Sequence, residues 1–384
     1  MKQILIISDL HISEGQDSAL EDFFYETELI NLLKKHSKNT ELIINGDFVD
    51  FLQITTIPEQ FKPTTTETEK KYGLKTSPDK SAWKIRHVIK KHSNVFKTLA
   101  EYTKNNKIIH LTGNHDMEFY WPQVQNAFHE EMKKLSVDYN KKNFVFAHWF
   151  YYKPKLIWIE HGCQYDSANS FCNLLHPVLP KIEELELPLG SFFCRYVFNE
   201  VEKYDTFADN IKPPGKYLLW TIKNKPRLAL KFIKSYFPLV KQLINKSRLT
   251  THNKTQKETI NKIHNSELKK LSKKWHVQLL KLKQIDNLRV PQLLEGQKFL
   301  KTLIKGQLSE ETNFKNAAKK IKEILNVKYV VFGHTHYAVH NEDFLNSGTW
   351  TPIVKDGKLV SATESKKLTY ILIKNNKAEL KEWK

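Results

Sequence analysis

Short apolar runs that end in polar residues recur along the chain. Gln3 to Ile7 runs into Ser8 and Asp9, and Glu41 to Asn45 runs into Gly46 and Asp47. Each predicts a buried strand that delivers polar side chains at its C-terminal edge. Between them, Leu20, Phe23, Phe24, Leu29, Ile30, Leu32 and Leu33 predict a helix over 19–35. The pattern then repeats. A helical spacing over 83–103 precedes a strand from Lys107 to Thr112 that leads into Gly113 and Asn114. Strands follow at 144–146, at 156–160 ending in His161 and Gly162, at 329–332 ending in Gly333 and His334, and at 369–373. Strand, helix, strand in this order predicts an α/β sandwich with its chemistry at the strand ends.

Two stretches break the order. Residues 54–80, rich in Thr, Pro and Lys without a period, read as a long surface loop, either a lid or a variable connection. From 166 to 327 much of the chain has helical spacing, which divides it into a core of 1–165 and 328–384 and a basic, mainly helical insertion of 166–327.

The polar residues at the strand ends form five blocks: Asp9-Leu10-His11, Gly46-Asp47-Phe48-Val49-Asp50, Gly113-Asn114-His115-Asp116, His161-Gly162 and Gly333-His334-Thr335-His336. Carboxylate, imidazole and amide donors without cysteine suit divalent manganese, iron or zinc. An aspartate can bridge two such ions, and a paired site can bind a phosphate and generate hydroxide. His110 and His148 also lie near strand ends but fall outside the blocks, and read as core or surface histidines.

With all five blocks in order, residues 1–165 and 326–384 resemble the calcineurin-like metallophosphoesterases. The resemblance implies a sandwich of two mixed β-sheets flanked by helices, and hydrolysis of a phosphate ester or pyrophosphate by attack of a metal-bound hydroxide. It implies two divalent ions, manganese first, with iron or zinc as alternatives. One ion would take Asp9, His11, Asp47 and His336; the other would share Asp47 and add Asn114, His161 and His334. His115 would contact the phosphoryl oxygen or protonate the leaving group, with Asp116 orienting its imidazole and Asp50 holding a ligand histidine. Gly162-Cys163-Gln164-Tyr165-Asp166 and Asn346-Ser347-Gly348-Thr349-Trp350 resemble elements of bacterial members.

Charge adds a partner. Of the net +19, the stretch 216–283 carries +16, with 18 Lys or Arg against Glu258 and Glu267. So local a block points to a polyanion, either an anionic membrane or nucleic acid. Arg227, Lys231 and Lys234 fall at helical spacing beside Leu228, Phe232, Ile233, Tyr236 and Phe237, after Tyr217, Leu218, Leu219 and Trp220. Such a helix can lie in a membrane interface. The arrangement resembles the branch that cleaves the pyrophosphate of UDP-2,3-diacylglucosamine at the membrane surface. It implies a lipid-linked or nucleotide pyrophosphate substrate; the competing expectations are a nuclease and a non-catalytic scaffold. Oligomeric state is not legible.

A hydrophobic share of 40% excludes wholesale disorder. Three cysteines, Cys163, Cys172 and Cys194, match no zinc site or disulfide framework, which predicts a reducing, cytoplasmic setting. The N-terminus enters a strand directly, so no signal peptide is expected. No run of about 18 apolar residues predicts a transmembrane helix; any membrane contact would be peripheral.

Overall fold

A computed structural model describes residues 2–15, 17–205, 208, 220–250, 254–292, 307–352, 354–355, 358–359 and 368–384. In chain order the strands are β1 (Gln3–Ile7), β2 (Thr40–Asn45), β3 (Lys107–Leu111), β4 (Phe144–Ala147), β5 (Phe150–Lys153), β6 (Ile157–Glu160), β7 (Tyr329–Phe332), β8 (Val339–His340), β9 (Leu345–Asn346), β10 (Val354–Lys355), β11 (Lys358–Leu359), β12 (Thr369–Lys374) and β13 (Lys377–Glu382). One sheet has the order β13-β12-β1-β2-β3-β4, a second has β5-β6-β7-β9-β8, and β10 pairs β11 separately.

Both large sheets are mixed. β1 runs parallel to β2 and antiparallel to β12, and β6 runs parallel to β7 and antiparallel to β5. The apolar runs of β1, β2, β3, β6 and β7 are continuous because these strands are buried on both faces. Ile4, Ile6, Ile43 and Ile109 pack with Ile157, Ile159 and Val331 in the layer between the sheets. Leu5, Ile7, Leu42, Ile44 and Ile108 point the other way, into a cluster with the helices. The helices α1 (Glu26–Lys35), α2 (Glu67–Tyr72), α3 (Pro78–Lys91), α4 (Ser93–Tyr102) and α5 (Pro122–Leu135) belong to this half. The architecture is an α/β sandwich of two mixed sheets flanked by helices.

Three local expectations are corrected. The helix expected over 19–35 starts only at Glu26. The buried Glu21 carboxylate accepts hydrogen bonds from Gly15 N at 2.6 Å and Phe23 N at 2.9 Å, which holds the preceding segment in a turn. The helix expected over 83–103 is two helices, α3 and α4, broken at His92, whose φ of −112° and ψ of 38° are not helical. Its imidazole sits between Glu26, 2.5 Å from Nδ1, and Glu21, 3.0 Å from Nε2. The expected loop at 54–80 contains a 3₁₀ segment, Glu59–Thr64, the helix α2 and the start of α3. A reciprocal capping box between Thr66 and Glu69 starts α2.

After β6 the chain is mainly helical: α6 (Leu189–Phe193), a π-helical turn over Cys194–Phe198, α7 (Asn199–Glu202), α8 (Pro226–Thr250), α9 (Lys254–Trp275), α10 (Leu279–Asp286) and α11 (Gln307–Leu325). Leu268, Leu282, Ile285, Phe314 and Ile321 join the large core cluster. Leu228, Phe232 and Leu239 of α8 pack on Phe193, Val197, Phe198 and Val201 in a separate cluster. Tyr217, Leu218 and Leu219 lie outside the described residues.

Candidate metal centre

The C-terminal ends of β1, β2, β3, β6 and β7 meet along one rim, and the turns leaving them are cross-tied. Asp9 N donates to Gly46 O, and His11 N donates to Asp47 O, at 3.1 and 3.0 Å. Gly333 N donates to His161 O at 2.9 Å, and His334 N donates to the Asp9 carboxylate at 3.1 Å. Asp9, His11, Asp47, His334 and His336 all have positive φ, between 49° and 67°. Left-handed backbone at non-glycine residues is costly, and five instances on one rim mark a place where side-chain aim outweighs backbone comfort. Glycines let the turns close: a Cβ at Gly46 would collide with the His161 ring, and one at Gly113 with the Asp47 carboxylate.

Six of the seven expected ligands come together in two groups. Asp9, His11 and His336 form one, and Asp47, His161 and His334 the other; within each group one ligand atom per residue lies within 4.8 Å of the others. Asp47 stands between them, with Oδ2 3.1 Å from His161 Nε2 and 3.8 Å from His11 Nε2. His115 forms a third such group with His11 and Asp47, which places it at the edge of the centre. Asn114 contributes Oδ1, 3.2 Å from His161 Nε2.

Outer hydrogen bonds fix which atoms face inward. His161 Nδ1 donates to Asn45 O at 2.9 Å, so its Nε2 carries the lone pair toward Asp47 and Asn114. His11 Nδ1 donates to Asp50 at 2.9 Å, so its Nε2 lone pair faces His336 Nε2 at 3.2 Å. Acceptors converging in this way require a positive charge between them. The donor set of carboxylate, imidazole and amide oxygen suits a divalent transition metal.

The electrostatics agree. Burial would raise the Asp47 carboxyl, but the charges of His161 and His115 and the His161 hydrogen bond hold it well below its ordinary value. With no cation between them, burial would lower the His161 imidazole but Asp47 and Asp9 carry it up to about 9, so a proton on Nε2 takes the place a cation would fill. Burial raises the Asp9 carboxyl, helped by the charge on Asp47.

The arrangement around His115 differs from expectation. Asp116 turns away: its carboxylate accepts from Gly113 N at 2.6 Å and Phe48 N at 2.8 Å, and meets His110 Nε2 at 2.8 Å. His110 is thereby a fully buried partner of Asp116 inside the core. The group on His115 Nδ1 is Asp50, at 2.6 Å, so one carboxylate oxygen serves both His115 and His11. Desolvation opposes the charge on Asp50, but those two imidazoles outweigh it and hold the carboxyl far below its usual range. His148, half-buried, packs against Tyr120.

Two residues with roles at the centre lie outside the five blocks. Asp166 Oδ2 is 3.0 Å from His334 Nε2 and so fixes the ring that groups with Asp47 and His161. Asn169 Nδ2 donates to Asp166 at 2.6 Å, and its Oδ1 accepts from Asn114 Nδ2 at 3.4 Å, which turns the Asn114 carbonyl inward. The sequence signal for Asp166 was its place at the end of the Gly162-Cys163-Gln164-Tyr165-Asp166 stretch that resembles bacterial members; Asn169 had none. Glu160 is a buttress of another kind, with a buried carboxylate that accepts from Trp149, Trp158 and Tyr165 at 2.7 to 2.8 Å.

Residues 2–178 match the family model of calcineurin-like phosphoesterases, so the chain carries a calcineurin-like phosphoesterase domain. The activity that accompanies this domain and donor set is metal-dependent phosphohydrolysis. The match stops before His334 and His336, which β7 returns to the same rim. No curated protein and no solved structure shows significant similarity to the chain.

Proposed function

We propose that the protein hydrolyses a phosphate ester or pyrophosphate at a binuclear centre, and that its substrate is a lipid-linked or nucleotide pyrophosphate met at the cytoplasmic face of a membrane. The observation that carries the chemistry is the pair of ligand groups joined through Asp47. Two divalent cations, manganese in the first instance, would be held by Asp9, His11, Asp47 and His336 on one side and by Asp47, Asn114, His161 and His334 on the other. Bound there, such ions act as Lewis acids on a phosphoryl oxygen and acidify water.

The chain's own residues do the rest. Asp50 fixes the His115 ring by its Nδ1, and His115 Nε2 is the atom that holds a proton for the departing oxygen. Asp166 and Asn169 keep His334 and Asn114 aimed inward. Replacing Asp47 with Ala removes the shared ligand, and both metal content and turnover should fall to background. Activity retained in metal-stripped buffer would refute the mechanism. His115→Ala should keep its metal while kcat falls on the order of 10²–10⁴-fold, as read by metal analysis beside turnover.

The membrane reading is supported by the outer face of α8. Leu230, Ile233, Phe237 and Ile244 are 58%, 50%, 73% and 51% exposed and recur at helical spacing, flanked by the exposed Arg227, Lys234 and Lys241. An apolar stripe between cations fits an anionic bilayer surface better than a nucleic-acid backbone, which gains nothing from the stripe. Among the described residues no helix is long and apolar enough to cross a membrane. The deciding assay compares hydrolysis of a lipid-linked nucleotide pyrophosphate in mixed micelles with that of DNA and RNA. Cleavage of nucleic acid alone would overturn the substrate reading and leave the metal chemistry standing.

A further inference from the structure

The carboxylate that turns His115 is itself held by two peptide groups. Asp50 caps a 3₁₀ segment, Phe51–Gln53, and its Oδ1 accepts from Leu52 N at 2.9 Å and from Gln53 N at 3.2 Å. That leaves Oδ2 for His115 and His11. A peptide unit is planar, so each of these N–H groups is aimed by whatever holds the carbonyl of its own unit. The unit joining Phe51 to Leu52 is held by the core. Phe51 O accepts from the buried Lys84 Nζ at 3.4 Å, and Lys84 meets Glu118 Oε1 at 3.3 Å. The unit joining Leu52 to Gln53 is held by the helical addition: Leu52 O accepts from Asn199 Nδ2 at 2.8 Å. Asn199 lies past the residues matched to the family, 2–178.

The helical turn that carries Asn199 reaches in two directions. Phe193, Val197 and Val201 pack on Leu228, Phe232 and Leu239 of α8. Arg195, Asn199 and Glu202 face the core instead. Arg195 Nη2 donates to the carbonyls of Gly73 and Leu74, and Glu202 Oε2 accepts from Gln53 Nε2 at 3.3 Å. The wider π-helical turn over Cys194–Phe198 leads directly into Asn199, and such turns concentrate at functional positions. Cys194 Sγ donates to Asn199 Oδ1 at 3.9 Å, which turns Nδ2 toward Leu52. Asn199 and Leu52 are both buried, and in that setting a bond on the Leu52 carbonyl strengthens the Gln53 N–H of the same unit as a donor to Asp50.

We infer that Asn199 is a positioning residue for the reaction, acting through the Leu52–Gln53 peptide and Asp50 on the His115 ring. The path is continuous. Asn199 Nδ2 holds Leu52 O, Gln53 N holds Asp50 Oδ1, and Asp50 Oδ2 holds His115 Nδ1 at 2.6 Å. Phe51 N also donates to His115 O at 3.2 Å, so the backbone of the same segment carries His115 as well. The helical addition thereby sets the aim of the group that protonates the departing oxygen. The inference rests on the roles given above to His115 and Asp50, and not on membrane docking or on the identity of the substrate.

The test uses the full-length, manganese-loaded protein and methyl aryl phosphodiesters whose leaving groups run from 4-nitrophenol to phenol. A proton donor matters little to nitrophenolate and much to phenolate, so the loss in kcat caused by His115→Ala should grow along the series. Asn199→Leu keeps the volume and removes the donor. Its loss should grow along the same series, to about ten-fold for phenol, and should vanish in a His115→Ala background, because groups that act through one atom are not additive. Val201→Ala loosens the same turn from its α8 side and should show no such dependence. A second readout needs neither metal nor turnover. In nitrogen-15 spectra of the histidine-labelled, metal-stripped protein, the His115 signals are those missing from His115→Ala. Asn199→Leu should shift His115 Nδ1 and leave His110, paired with Asp116, in place. Where His115→Ala shows the leaving-group dependence, a uniform or additive loss in Asn199→Leu overturns the inference. Unshifted His115 signals overturn it too, as does an equal dependence in Val201→Ala. Where His115→Ala shows no dependence, the proton-donor reading of His115 falls, and the Nδ1 shift alone decides whether Asn199 places the ring.

Discussion

At the scale of single residues, Asp50 and Asp116 separate aim from support. Both are fully buried carboxylates three residues after a strand-end glycine or its neighbour, yet one faces the centre and the other the core. Asp50→Asn weakens the acceptor shared by His115 and His11, so kcat/KM should fall on the order of 10–100-fold with a parallel loss of metal affinity. Asp116→Asn should leave kcat/KM near wild type and cost about 1–3 kcal/mol of stability in denaturant titrations, because it disturbs contacts to Gly113, Phe48 and His110. The reverse pattern would return the orienting role to Asp116. Asp166→Ala should lower metal affinity by about 10–100-fold through His334, as read by metal analysis after dialysis. The seven ligand types were legible in the sequence because each stands directly past an apolar strand. Which acid serves which histidine was not, since it depends on how the turn at Gly113–Asp116 folds back on itself.

At the scale of elements, the break between α3 and α4 carries a prediction of its own. Desolvation alone would lower the His92 imidazole, but hydrogen bonds to Glu21 and Glu26 lift it from 6.5 to about 9. A folded-state pKa above the unfolded one stabilises the fold in full below about pH 6.5, and that stabilisation is lost as pH rises through about 9. The difference is worth about 3 kcal/mol at most. Urea titrations should show stability falling between pH 7 and pH 10, and His92→Gln should remove that part of the slope. An identical slope in the variant would assign the loss elsewhere. β1, β2, β3, β6 and β7 were readable because burial on both faces makes them apolar almost throughout. The break at His92 was not, because a polar residue at a helical position carries no sign that two distant carboxylates are waiting for it. β13 was missed for another reason: as an edge strand with the sequence Lys-Ala-Glu-Leu-Lys-Glu it has few apolar residues to show.

At the scale of the whole molecule, the question is why a phosphoesterase core carries so basic a helical addition. Helical spacing and charge were visible in the sequence, but which face of α8 is covered was not. Its inner residues, Leu228, Phe232 and Leu239, are held by Phe193, Val197 and Phe198, and that packing turns Leu230, Ile233 and Phe237 outward. A helix with two apolar faces has one more than the protein's own core uses. If the outer face enters a bilayer, each large apolar side chain contributes about 1.5–3 kcal/mol. The double variant Ile233→Glu, Phe237→Glu should then bind vesicles of phosphatidylcholine and phosphatidylglycerol at least about 100-fold more weakly, measured by co-sedimentation. Turnover of a small water-soluble phosphodiester should be unchanged, because neither residue touches the centre. Raising salt should weaken the wild-type protein's binding only in part, since the apolar contribution is not screened. Binding that vanishes with salt and ignores the double variant would identify a purely electrostatic surface, and α8 would then have to meet a soluble polyanion instead.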